Sequence, residues 1–68
     1  MNEEALNTSV RKFLRKVGVT AQREIETAVH QALADGRLKG NEALPATARF
    51  TIGGIELTFD VEGAVELE

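Results

Sequence analysis

From Ala46 to Val61 apolar and polar residues alternate on both sides of an adjacent glycine pair, Gly53-Gly54, and this is the strongest constraint on the fold. Strand side chains point to opposite faces at successive positions, so the alternation predicts two strands with one apolar face each. Ala46, Ala48, Phe50 and Ile52 share the first face, and Ile55, Leu57, Phe59 and Val61 share the second. A two-residue primed turn at the glycines places Ile52 opposite Ile55, Phe50 opposite Leu57, Ala48 opposite Phe59 and Ala46 opposite Val61. The expected elements are strand 46–52 and strand 55–62. The parity continues through Gly63 to Val65 and Leu67, which opens either a longer second strand or a third short one over Val65–Leu67.

Ahead of Pro45 the apolar period is helical. Leu6, Val10, Phe13, Leu14 and Val17 lie on one stripe at about 100° per residue, with Asn2 as N-cap and Gly18 as the stop, giving helix 3–17. Thr20 is a second N-cap, and Ile25, Ala28, Val29, Ala32 and Leu33 form the stripe of helix 21–35, ended by Gly36. Residues 36–45 read as a loop, within which Arg37–Lys39 could add a third strand to the sheet. The expected fold is α+β: two N-terminal amphipathic helices packed on one face of a C-terminal antiparallel hairpin, in the order α-α-β-β, as one domain over residues 1–68.

The chain has 68 residues, no cysteine and one histidine. A domain of this size buries only roughly 60% of its unfolded surface, so small domains commonly draw on disulfides, metals or partners. Disulfides and thiolate metal sites are excluded, and a catalytic zinc is disfavoured. A partner chain is the addition that remains. The acidic and polar start, MNEEALNTSV, does not read as a secretory signal, and no apolar run reaches membrane-spanning length. A cytoplasmic protein without a membrane segment is expected.

Charge is divided along the sequence. Through Lys39 there are seven basic residues and five acidic ones, a balance of +2; from Gly40 onward Arg49 stands against six acids, a balance of −5. Arg11, Lys12, Arg15 and Lys16 form the one basic cluster, opposite the first apolar stripe. They are the candidate site for an anion or an acidic partner, weighed against a solvated face that complements a helix C-terminus.

The glycine pair fits neither a Walker loop, which needs a following Lys and Ser or Thr, nor a dinucleotide fingerprint, which needs a following helix. His30 lies one turn after Glu26, a spacing that can orient an imidazole, but no nucleophile or second histidine accompanies it. Glu24 and Glu26 point to different sides of a helix and are no carboxylate pair. No catalytic residue, metal, cofactor or small-molecule substrate is expected.

The segment FLRKVGVTAQREIETAV resembles the helix-turn-helix of bacterial repressors at Gly18-Val19-Thr20, but it places Glu24 where that family buries Val or Ile. GRLKGNEALP resembles a stretch of gluconate-repressor-type winged helices that there leads into a recognition helix, and here leads into a strand. As a wing, the hairpin would show Thr47, Arg49, Thr51, Glu56, Thr58 and Asp60, too few bases to grip phosphates. As a whole, through ALNTSVRKFLRKVGVTAQREIE, KGNEALP and TIGG, the chain resembles a family of short uncharacterised bacterial proteins of unknown function, a resemblance that implies no activity. The reading is a small non-enzymatic module for self-association or protein docking, through a strand edge or the basic helix face. Its alternative is a nucleic-acid-binding accessory protein using Arg11, Lys12, Arg15 and Lys16.

Overall fold

The computed structural model describes residues 1–68 as one α-helix followed by one β-hairpin: α1 (Glu3–Ala34), β1 (Ala43–Ile52) and β2 (Leu57–Glu66). The chain divides into two units, Met1–Arg37 and Leu38–Glu68.

The first unit corrects the two-helix expectation. Helices 3–17 and 21–35 are a single helix of 32 residues, which passes through Gly18 without a break. It is about 48 Å long at 1.5 Å per residue. The order is therefore α-β-β rather than α-α-β-β. A glycine inside a helix costs about 1 kcal/mol relative to alanine, which is too little to stop a helix whose apolar stripe continues on the other side. The stripe does continue. Leu6, Val10, Leu14, Val17, Ala21, Ile25, Ala28 and Ala32 repeat every eleven residues, since Leu6, Val17 and Ala28 are one series and Val10, Ala21 and Ala32 another. An eleven-residue repeat corresponds to 3.67 residues per turn, close to the helix's own 3.6, so the stripe runs nearly straight along the axis.

The ends form as their residues dictate. Asn2 is extended, and its side-chain oxygen accepts from the Ala5 N–H at 3.0 Å, while Glu3 and Glu4 sit in the first turn. At the other end Gly36 takes φ +83°, its N–H bonds to Leu33 O at 3.3 Å, and the Arg37 N–H bonds to Ala32 O at 2.9 Å. That pair of bonds is a Schellman motif. Asp35 accepts from Arg37 Nε at 2.9 Å beside it.

The second unit is a two-stranded antiparallel sheet, so neither Arg37–Lys39 nor Val65–Leu67 forms a third strand. β2 runs straight through Gly63, and the Leu67 N–H adds one bond to Glu42 O at 3.0 Å beyond the last strand pair. The strands are longer than the expected 46–52 and 55–62. The turn also differs: four residues, Gly53 to Glu56, separate the strands, with Gly54 at φ +90° and Glu56 at φ +52°. Pairing is Ile52 with Leu57, Phe50 with Phe59, Ala48 with Val61, Ala46 with Gly63 and Leu44 with Val65. This register is two residues away from the one a two-residue turn imposes. A shift of two keeps every side chain on its face, so the apolar face survives while its partners change. The new partners include a stacked pair, Phe50 and Phe59, with ring centroids 5.2 Å apart.

Neither unit holds a core. Ala32 is the single buried residue of the chain, and no large side chain is fully buried.

Candidate functional site

The four basic residues singled out in the sequence lie on one helix face. At about 100° per residue Arg11, Lys12, Arg15 and Lys16 spread across the side of α1 opposite the stripe of Val10, Leu14, Val17 and Ala21. All four are exposed and none takes part in an ion pair; the two ion pairs of the chain are Arg37–Asp35 and Arg49–Asp60. The helix thus has a cationic back and an apolar front along its N-terminal half.

The other candidates are not brought together. Glu26 does not orient His30: its Oε2 accepts from Gln22 Nε2, one turn earlier, at 3.1 Å. Two shallow depressions are lined by α1 alone, one by Val19, Gln22, Arg23, Glu26 and Thr27, the other by Phe13, Lys16, Val17, Thr20 and Ala21. Neither includes His30. No group of three or more His, Cys, Asp or Glu side chains is placed to hold a metal ion.

The continuous helix removes the helix-turn-helix reading, because no turn exists at Gly18-Val19-Thr20 to set a recognition helix at an angle. The wing reading weakens as well. Arg49, the one base of the hairpin, is committed to Asp60 directly across the ladder, with Nε to Oδ1 at 2.8 Å and Nη2 to Oδ2 at 3.2 Å. That two-pronged contact holds the Asp60 carboxyl below its ordinary range and raises the Arg49 guanidinium.

A feature that sequence reasoning missed lies just before β1. The Glu42 carboxylate turns back on its own chain and accepts from the N–H groups of Lys39 at 2.9 Å, Gly40 at 2.9 Å and Asn41 at 3.2 Å. Gly40 at φ +110° makes the bend that aims these donors at one point. Bonds from Lys39 first and Gly40 next hold the Glu42 carboxyl below its ordinary value. A glycine two residues before an acid is the only trace of it in the sequence. The clasp is filled by the chain's own carboxylate, so it organises the loop and is closed to outside anions.

The chain belongs to a family of unknown function, DUF6494, whose match spans residues 1–68. No function is assigned to that family, and none passes from it to this chain. No curated protein matches the chain, and no solved structure does. No helix is long and apolar enough to cross a membrane.

Proposed function

We propose that this protein is a non-enzymatic self-association module, in which the apolar front of α1 is covered by another protein surface. The observation that carries the reading is that a 32-residue helix presents an unbroken apolar stripe yet contributes one buried residue, Ala32. Leu6, Val10, Leu14 and Ile25 along that stripe are 42–46% exposed. Helical stability in proteins comes mostly from packing such a face. The strand edges serve association less well. Pro45 withdraws one donor from β1, and Asp60, Glu62 and Glu66 load β2 with charge, both of which are devices that discourage edge pairing.

The non-enzymatic part of the proposal rests on Glu26 bonding Gln22 instead of His30 and on depressions formed by a single helix. A cytoplasmic setting fits a chain with no cysteine. Sedimentation equilibrium across a wide concentration range tests the reading. A mass above that of one 7.4 kDa chain, growing with concentration, is the expected result. A single-chain mass throughout would reject it.

A second reading keeps the basic back of α1 as an anion-binding face, on the observation that its four cations have no acidic partner within the chain. Binding to duplex DNA or RNA at low salt that disappears when all four become alanine is its signature. Unchanged amide shifts on adding either polymer would dismiss it.

A further inference from the structure

The stripe of α1 is graded along its length. Its N-terminal part carries Leu6, Val10, Leu14 and Val17, and its C-terminal part carries Ala21, Ala28 and Ala32, with Ile25 the one large residue among them. Two equal helices with such a gradient pack well when they run in opposite directions, because large side chains such as Val10 and Val17 then meet alanines such as Ala28 and Ala21 and the axes can approach closely. Charge runs the same way. Arg11, Lys12, Arg15 and Lys16 occupy one section of the helix, whereas the section from Gln22 to Thr27 carries Glu24 and Glu26 against Arg23 alone.

We propose that the occupant of the α1 stripe is α1 of a second copy of this chain, packed antiparallel about a two-fold axis level with Val19. The inference rests on the self-association reading and adds its geometry. In this register residue numbers across the pair sum to 38. Val10 faces Ala28 of the second copy and Val17 faces its Ala21, each layer occurring twice by symmetry. The basic section of each helix lies alongside the Gln22–Thr27 section of the other. Glu24, at the border of the stripe, falls opposite Leu14 and about 3 Å along the axis from the level of Lys16 of the second copy, which meets its charge. Ala32 is already buried, so the free part of the stripe ends there and Leu6 lies at the rim. Gly18 lies near the level of the two-fold axis but on the flank beside Arg11, off the stripe. Arg11, Lys12 and Arg15 remain outward.

The chain has no cysteine, so single substitutions report the geometry cleanly. Full-length Val10→Cys and Ala28→Cys chains are prepared, mixed in equal amounts, and oxidised beside each variant alone. Antiparallel packing predicts a disulfide-linked dimer from the mixture and little from either variant by itself, because like positions lie about 27 Å apart for Val10. Strong crosslinking of Val10→Cys alone would establish parallel packing and overturn the inference. Equal crosslinking in all three samples would mean chance collision and also overturn it. The mass of the uncrosslinked chain separates the two readings: a dimer by mass with no crosslink in any sample keeps self-association and rejects this geometry, whereas a monomer rejects both. Circular dichroism of both variants confirms that the helix survives substitution. Val17→Cys mixed with Ala21→Cys repeats the test at a second layer and is expected to give the same pattern.

Discussion

The helix and the hairpin are both amphipathic, but they fix their geometry by different means. In α1 every interior backbone bond is made within the element, and the only choice left to the sequence is which side is apolar. A local defect such as Gly18 is then absorbed, because the next turn makes its bonds regardless. In the hairpin each backbone bond belongs to two distant residues, so the loop between them decides which residues meet. A loop of four residues there instead of two changes the partner of every residue. The comparison teaches that glycine carries little weight inside a helix and a great deal at a turn.

The largest test of that contrast is Gly18→Pro. A proline in the middle of a continuous helix costs about 3 kcal/mol or more, and loss of helical circular dichroism together with a lower melting temperature is expected. If the region were instead a turn between two helices, the substitution would disturb the turn alone, and most of the helical signal would survive.

The next effect is a difference in sign. Gly18 has no positive φ and open space around its Cβ position, so Gly18→Ala is expected to stabilise the isolated helix by about 1 kcal/mol. Gly54 has φ +90°, and Gly54→Ala is expected to destabilise the hairpin by about 1 kcal/mol or more. Thermal melts at a protein concentration held constant would show the two shifts in opposite directions. Shifts of the same sign would remove the contrast.

Smaller still is the acid response, which should fall at the C-terminal end of α1 and in the second unit and leave the middle of the helix untouched. Asp35, Glu42 and Asp60 have carboxyls held below their ordinary values, by Arg37, by the loop N–H groups and by Arg49 respectively. Their contribution is complete above those ordinary values and is lost as pH falls through the lowered ones. Acidification is therefore expected to disturb the amide resonances of Lys39, Gly40 and Asn41 before those in the middle of α1. Glu42→Gln should abolish that step, and its persistence would show that another group is responsible.

Much of this was legible in the sequence. Asn2 and Gly36 cap the helix as their types predict, and the apolar face of the hairpin is the one that alternation assigns. The single helix was legible too, because the eleven-residue repeat of the stripe spans Gly18; stopping at the glycine hid it. Register was not legible. A period of two is unchanged by a slip of two, and the stacking of Phe50 on Phe59 across a four-residue loop depends on the whole ladder. The Glu42 clasp was hidden for another reason, since its partners are backbone N–H groups that carry no residue identity. For the basic cluster, sequence located the four residues and the structure added their lack of internal acidic partners.

The ion pair between Arg49 and Asp60 also has a meaning in the kinetics of folding. A hairpin closed by a two-residue turn at Gly53-Gly54 keeps the same faces and is a near-degenerate competitor of the native one. In that competitor Arg49 stands opposite Thr58, and Asp60 opposite Thr47. An exposed contact of this kind adds little to the depth of the native well, yet with the Phe50–Phe59 stack it separates two alignments that share the same apolar faces. The charges act as a proofreading mark for strand alignment, consulted each time the hairpin closes.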